Sequence, residues 1–388
     1  MSQSVRLIIL TLMMPKGTTG VQTHFNAIAD YANISGLRVS IVYPHQLNRW
    51  LRKLPGAIGR LLTQLNQEAA VLVDRFFSRI FLKTLLKKEL AAAHERGESA
   101  VIYAQDPWSA RAALDLRAQG YLFRLVSVVH FNISEAQEFV EKGISSQHGR
   151  LWRSLMANEK YVLPKLDQIV FVSAFMQQEV GARLPELSRV SQAVISNFPL
   201  AIDNVGGGND LPSRDIIAIG TLESRKNQGF LLKILAECHV MGERYTLTLI
   251  GDGPDRAILE QEARRLGLST YINFMGYQPT AARFIAGCRA FVHCSKMESQ
   301  GIVLLEALRS AVPVFAAPVG GIPEVFEDGE QGHYLDLDNP RDAALKLISV
   351  LENSEKWQRM SVSAHETFTS RFHPDVLGPR WINVLLGI

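Results

Sequence analysis

Two glutamates eight positions apart, Glu298 and Glu306, bracket a glycine, Gly301, in the run His293-Cys-Ser-Lys-Met-Glu-Ser-Gln-Gly-Ile-Val-Leu-Leu-Glu306. A short apolar stretch, Ala290–His293, reads as a strand that ends just before them, and a helix opens at about Gly301. The start of a helix carries unpaired N–H groups and a partial positive charge, which suits a diphosphate. Gly301 would let phosphates approach the backbone closely. Glu306 lies roughly 7–8 Å further along the helix, about the reach from a phosphate to a ribose. A carboxylate there can accept both ribose hydroxyls, and Glu298, before the helix, can accept the hydroxyls of a transferred sugar. An arbitrary pair of glutamates would be solvated surface acids. This pair sits in an apolar run, which favours a charged, hydroxyl-rich ligand such as a sugar nucleotide.

The elements that must position these residues alternate along the chain. Strand-like runs cover Val5–Leu12, Leu37–Tyr43, Ala100–Ala104, Leu125–His130 and Gln168–Val172, then Ile216–Gly220, Tyr245–Gly251, Ile272–Phe274, Ala290–His293 and Pro313–Ala316. Helical patterns such as Val21–Ile34, Phe230–His239, Arg256–Leu266 and Ile302–Ser310 separate many of them. This alternation predicts parallel sheets covered by helices on both faces. The 388 residues exceed the usual size of one domain. The reading is therefore an α/β chain of two doubly wound domains, 1–198 and 213–371, joined by a Gly/Pro/Asn/Asp-rich linker at 199–212. In such sheets ligands bind outside the carboxyl ends of the strands.

Composition excludes several classes. A net charge of +3 does not by itself argue for nucleic acid, and no nucleic-acid partner is expected. Three cysteines, Cys238, Cys288 and Cys294, cannot form a disulfide framework and show no zinc spacing, so a reducing, cytoplasmic setting is expected. No apolar run approaches the ~20 residues of a membrane span. Arg6 and the following Leu-Ile-Ile-Leu-Thr-Leu-Met-Met read better as a buried strand than as a signal peptide, because Pro15-Lys16-Gly17 closes them with no cleavage site.

One segment departs from the alternation. Between Gln46 and Leu90, Arg49, Arg52, Lys53, Arg60, Arg75, Arg79, Lys83, Lys87 and Lys88 alternate with Trp50, Leu54, Ile58, Leu61, Phe76, Phe77, Ile80 and Phe81. Basic and apolar residues in this mixture can lie on an anionic bilayer, or form a helix packed on the sheet with a solvated basic face. Both readings stand at this point.

The Glu298–Glu324 region resembles the nucleotide-sugar glycosyltransferases of family 4. Their hallmark, a glutamate, seven residues and a second glutamate, reads here Glu298-Ser-Gln-Gly-Ile-Val-Leu-Leu-Glu306, and their Gly-Gly-x-Pro-Glu turn reads Gly320-Gly321-Ile322-Pro323-Glu324. The dipeptide after the first glutamate, commonly Gly-Phe, is Ser299-Gln300. The likeness extends to Ile219-Gly-Thr-Leu-Glu-Ser-Arg-Lys-Asn-Gln228, in which Lys226 matches a lysine that binds donor phosphates. Thr221 stands where an arginine is common, with Arg225 the nearest substitute. Leu249-Ile-Gly-Asp-Gly-Pro254 is similar to a further strand end but is an incomplete dinucleotide fingerprint. Tyr277, in Phe274-Met-Gly-Tyr277, matches a loop beside the nucleobase. In the first half, Gly17-Thr-Thr-Gly-Val-Gln-Thr-His24 resembles the glycine loop near the donor phosphates, where Gly20 would allow close approach. Tyr103-Ala-Gln-Asp-Pro-Trp108 resembles a strand-end turn, and Val128-Val-His130 a strand ending in a histidine that faces the reacting sugar. Ser173 reads as a helix cap.

The resemblance implies a GT-B fold, with two Rossmann-like domains facing across a cleft. It implies an N-terminal acceptor-binding domain, a C-terminal donor-binding domain and a terminal helix, about 372–388, that crosses back to the first. It implies retention of anomeric configuration by same-face attack assisted by the leaving phosphate. Lys226, Glu298 and His130 would act at the reacting centre, while Glu306, Gly301, Gln300, Ser299, Ile302, Arg225, Thr221, Gly20 and Tyr277 would hold the donor. It implies no cofactor beyond the nucleotide-diphosphate sugar and no required divalent metal. The acceptor expected is a glycan or a lipid-linked sugar in surface polysaccharide assembly, with peripheral contact to the inner face of the cytoplasmic membrane through 46–90. A sugar-nucleotide epimerase, a phosphorylase-like enzyme and a non-catalytic nucleotide-binding partner of another transferase are the alternatives. An NAD-dependent dehydrogenase is disfavoured.

Overall fold

The computed structural model describes residues 4–17, 19–48, 59, 61–199 and 214–388. The predicted linker from 200 onwards, and Arg49, Trp50, Arg52, Lys53, Leu54, Ile58 and Arg60 of the basic segment, lie outside the described residues. The chain divides into two compact units, Met1–Ser196 with Leu377–Ile388, and Asn197–Val376. Asn197 goes with the second unit because its backbone N–H and its side-chain amide both donate to Gln300 Oε1, at 2.9 and 2.7 Å.

The first unit is built on β1 (Val5–Leu10), β2 (Arg38–Val42), β3 (Ser99–Ala104), β4 (Arg124–Val129), β5 (Gln168–Phe171) and β6 (Ser191–Val194). They form one parallel sheet in the order β2-β1-β3-β4-β5-β6. Leu7, Ile8, Ile9 and Leu10 of β1 are fully buried, as expected of a strand covered on both faces. Several of its helices start on side-chain caps. Thr19 and Gln22 form a reciprocal capping box for Gly20–Ile34, Asp106 caps Pro107–Arg117, and Ser173 caps Ala174–Arg183, as the sequence suggests.

The second unit holds β7 (Arg214–Ile219), β8 (Leu247–Ile250), β9 (Ile272–Gly276), β10 (Cys288–His293), β11 (Val314–Ala316) and β12 (Gly332–Tyr334). Their order is β12-β11-β10-β7-β8-β9, again all parallel. β6 and β12 are edge strands of four and three residues that are not among the strand-like runs read from alternation. They are too short and polar to stand out by alternation, and pairing with a neighbour defines them.

Both sheets reverse their winding once. In the first unit the chain steps outward from β1 to β2 and then returns to the other side of β1 as β3. In the second it runs β7-β8-β9 one way and then places β10 on the far side of β7. At such a reversal two neighbouring strands send their following loops apart, which opens a crevice at their carboxyl ends.

The described remainder of the basic segment is largely one helix of 29 residues, Gln67–Glu95. Leu82, Leu86 and Leu90 are buried along one face. Arg75 and Arg79 turn inward to Glu135 and Asp115, at 3.1 and 2.6 Å. Phe76, Ile80, Lys87 and Lys88 remain exposed. One face of this helix is therefore a packed face of the first unit.

Candidate active site

The winding reversal of the second unit lies between β7 and β10, and the loops that follow these two strands carry Lys226 and Glu298. The loops are hydrogen-bonded to each other. Lys296 N–H donates to the Arg225 carbonyl at 2.9 Å, and the Arg225 guanidinium reaches the Met297 carbonyl at 3.3 Å. Asn227, in the left-handed conformation, then closes the first loop and starts the helix Gln228–Val240. The result brings Lys226 Nζ to Glu298 Oε2 at 2.5 Å. His293, the last residue of β10, donates from Nε2 to the same oxygen at 3.1 Å. Both bonds converge on Oε2.

Burial alone would push the Glu298 carboxyl up. The Lys226 charge and the hydrogen bond from His293 outweigh it and hold Glu298 below the usual carboxylate range. His293 is buried, and burial lowers its pKa. It is therefore neutral, with its hydrogen on Nε2. Cys294 next to it is an inert thiol, pushed to about 12 by burial.

Two glycines shape the backbone here. Gly301 has φ +85°, and a Cβ on it would press on Leu304 and Glu298 side-chain carbons at 3.2 and 3.3 Å. Gly320 has φ +59°, and a Cβ there would come within 1.9 Å of the Glu298 carbonyl oxygen. That same oxygen accepts the Gly321 N–H at 3.0 Å. The Gly-Gly turn thus grips the backbone of Glu298.

The helix Ile302–Arg309 opens directly after Gly301, which is its N-cap, with no side-chain cap of its own. Glu306 is half-buried on it. Its carboxyl is pushed up to about 7 by burial, with Arg309 opposing. Among the described residues the Glu306 carboxyl accepts no hydrogen bond and forms no ion pair.

The other residues expected to hold a donor divide. Ser299 and Ile302 flank the same turn and are half-buried. Gln300 is buried, its carbonyl turned to Asn197, so its side-chain oxygen serves the loop. Arg225 is likewise engaged by Glu223 at 2.9 Å as well as by Met297, and straps the two loops together rather than standing free in place of the missing arginine. Thr221 is exposed, and its carbonyl accepts Gln228 Nε2 at 2.9 Å. Tyr277 is 56% exposed. Among the described residues no group of three or more His, Cys, Asp or Glu is placed to hold a metal ion.

In the first unit, His130 follows β4. Its Nε2 lies 3.1 Å from Gln105 Oε1. A carboxamide oxygen only accepts, so the ring hydrogen is on Nε2. Burial pushes His130 down to about 3, and it is neutral. His24, on the helix that Gly20 opens, sets its ring 4.9 Å from that of His130 and 4.8 Å from that of Trp381. His24 also meets the Tyr103 hydroxyl at 2.5 Å. Trp381 is fully buried, and its indole N–H donates to the Ser196 carbonyl at 2.9 Å. His130 therefore stands on an aromatic platform partly built from the terminal helix, Pro374–Leu386.

Sequence reasoning missed His293 as a partner of Glu298, and His24, Tyr103 and Trp381 as the support of His130. For His293 the signal was a polar side chain ending an otherwise apolar buried strand. For the others no local signal exists, since they come from three separate segments.

Residues 206–367 match the model of the family described as glycosyl transferases group 1. A stretch of 129 residues is 32% identical to the N-acetyl-alpha-D-glucosaminyl L-malate synthase of Bacillus anthracis, over 33% of this chain and 34% of that protein. A stretch of 197 residues is 27% identical to the lipopolysaccharide core biosynthesis glycosyltransferase LpsE of Rhizobium meliloti, over 50% of this chain and 57% of that protein. The chain thus spans between about a third and just over half the length of these relatives. Among solved structures, the sucrose-phosphate synthase of Thermosynechococcus elongatus aligns with a TM-score of 0.72 at 16% identity, over 99% of each chain. The Anabaena protein HepE in complex with UDP and glucose aligns with a TM-score of 0.67 at 18% identity, over 99% of this chain and 100% of that one. At such identities the likeness is one of fold, that of the GT-B glycosyltransferases, with two parallel-sheet units.

The raised Glu306 pKa sets a pH dependence. The unfolded carboxyl titrates near 4.5 and the folded one near 7, so between these values the folded state holds the extra proton and stability falls as pH rises. Glu306→Gln removes that term. The variant should gain on wild type by up to ~1.4 kcal/mol per pH unit across this window, with no further change above pH 8, as read by urea unfolding at pH 4.5, 6 and 8. Parallel stability curves for the two proteins would show that Glu306 is solvated.

Proposed function

We propose, from the match of residues 206–367 to the model of the group 1 glycosyl transferases, that this chain is a retaining glycosyltransferase of family 4. It moves a hexose-type sugar from a nucleotide-diphosphate sugar to a glycan or lipid-linked acceptor. The observation that carries the reading is the Lys226–Glu298 pair at 2.5 Å, held where the sheet reverses its winding, one turn before a helix that presents an unpartnered Glu306. A bare helix start, a lysine and two carboxylates of opposite electrostatic character form a set that fits diphosphate, sugar and ribose together.

In this reading the start of Ile302–Arg309 and the Lys226 ammonium hold the diphosphate and stabilise the charge that builds as the nucleotide leaves. Glu298 uses Oε2 for Lys226 and His293, which leaves Oε1 to accept a hydroxyl of the donor sugar. Glu306 accepts the ribose hydroxyls. Gly20 and the backbone of Ser299, Gln300 and Ile302 lie against the donor, and Tyr277 packs beside the base. His130, neutral and with Nε2–H committed to Gln105, offers the Nδ1 lone pair to a hydroxyl of the reacting sugar or acceptor. The acceptor nucleophile attacks on the face the leaving phosphate departs from, and the phosphate oxygen takes its proton, which retains configuration. The first unit takes the acceptor and the second the donor. The Rhizobium meliloti relative named for lipopolysaccharide core biosynthesis supports a role in surface polysaccharide assembly.

A thermal-shift panel of UDP, GDP, ADP and their common sugar conjugates tests the donor site. One nucleotide class should raise the melting point of wild type, by ~2.7 kcal/mol of added stability at a hundredfold excess over its dissociation constant, and the shift should vanish in Glu306→Ala. No shift with any nucleotide would overturn the donor reading. Because Lys226 and the helix start supply the positive charge at the phosphates, turnover of the donor so found should persist in EDTA. Its loss, restored by magnesium, would assign part of that charge to a metal.

The proposed site of work is the inner face of the cytoplasmic membrane. Exposed Phe76 and Ile80 share a helix face with Lys87 and Lys88, which combines apolar contact with attraction to anionic headgroups. No helix among the described residues is long and apolar enough to cross a membrane. The protein should sediment with phosphatidylglycerol vesicles and not with phosphatidylcholine ones, and Lys87→Glu with Lys88→Glu should weaken this at least severalfold. Equal sedimentation of wild type and variant would remove this helix from the contact.

A further inference from the structure

The loop after β4 runs from His130 through Phe131, Asn132 and Ile133 to Ser134, the N-cap of the helix Glu135–Glu141. It is pinned by charged side chains from three other helices. Glu159, on Arg150–Val162, has a fully buried side chain, and its Oε1 accepts the Glu135 N–H at 2.8 Å. Arg183, the last residue of Ala174–Arg183, reaches Glu159 Oε2 at 2.6 Å and donates to the Ile133 carbonyl at 3.1 Å. Arg75, on Gln67–Glu95, pairs with Glu135 at 3.1 Å.

We propose that the Glu159–Arg183 pair is a positioning device for His130, one that fixes the loop behind the histidine by bonding its backbone at Ile133 and Glu135. The inference rests on the proposed role of His130 at the reacting sugar. An apolar pair of the same volume would serve stability as well or better, since burying two charges costs desolvation. What an apolar pair cannot do is hold a particular N–H and a particular carbonyl of an irregular loop. Glu159 and Arg183 reach the loop from opposite ends of the Ile133–Glu135 segment, one accepting and one donating, so the segment has a single register. With that register set, the His130 ring stays between Gln105 and the His24 ring. Arg75 closes the clasp from the side-chain end of Glu135.

The test uses the full chain with labelled histidine, and the His130 signal is identified by its loss in His130→Gln. Two variants are compared with wild type: Glu159→Met with Arg183→Leu, and Arg183→Lys. The first removes the clasp while replacing a buried ion pair by apolar volume, and the second keeps a cation near Glu159 but loses the planar guanidinium whose Nη2 is aimed at both Glu159 and the Ile133 carbonyl. In wild type, His130 remains neutral to about pH 3. The double variant should stay folded, and its His130 should titrate roughly two units higher as water reaches the ring, with Arg183→Lys in between. If the double variant unfolds, the Arg183→Lys titration carries the test alone. A His130 titration unchanged from wild type in the folded variants overturns the proposal and leaves the pair a structural one. The role of His130 itself is read separately. Full sugar transfer by His130→Ala would sink that role without altering what the titration says about the clasp.

Discussion

The candidate site of the second unit depends on one largely buried contact, the ion pair between Lys226 and Glu298. Two charges taken out of water are costly, and removing either partner alone costs about 3–5 kcal/mol because the other is left buried and uncompensated. The surroundings are built to keep the pair intact. His293 adds a donor to the shared oxygen, Arg225 ties the two loops that carry the charges, and the Gly320-Gly321 turn fixes the Glu298 backbone from behind. Each of these comes from a different strand end, so the pair also reports that β7, β10 and β11 are correctly adjacent.

Two carboxylates eight residues apart meet opposite fates. Glu298 is driven into its ionised form by a cation and a hydrogen-bond donor. Glu306, without a bonded partner, is driven by burial towards neutrality near pH 7. The division is what a site for a sugar nucleotide would want. One group stays charged and orients its neighbours. The other would be satisfied by ligand hydroxyls, which would lower the cost of its burial only with the ligand present.

The first unit solves a similar problem without net charge. His24, Tyr103, His130 and Trp381 pack ring against ring, and hydrogen bonds at 2.5 Å to Tyr103 and 3.1 Å to Gln105 fix which nitrogen of each histidine is engaged. The charges of that unit lie behind the loop, in Glu159, Arg183, Arg75 and Glu135, where they hold backbone. Both units therefore place their polar residues where the strand order reverses or immediately beside it, since only there do neighbouring loops separate enough to expose a crevice.

Much of this was legible in the sequence. Strand and helix positions agreed to within a few residues, because long apolar runs and cap residues such as Thr19, Asp106 and Ser173 carry local physical signals. The Glu298-to-Glu306 spacing and the Gly320-Gly321 turn located the candidate site, since a helix start and a left-handed backbone are local needs. The edge strands β6 and β12 were not legible, because three or four residues gain strand character only by pairing. Nor were the partners. Gln300 and Arg225, expected beside a donor, are bonded to Asn197, Glu223 and Met297, while His293, His24 and Trp381 gained their places from chain segments far apart. The sequence alone determined which residues could do chemistry and on which elements they sit, because periodicity, capping and turn conformation are short-range. Only the tertiary structure decided which of them touch and which carboxylate is charged, because burial and pairing depend on neighbours that the strand order brings together.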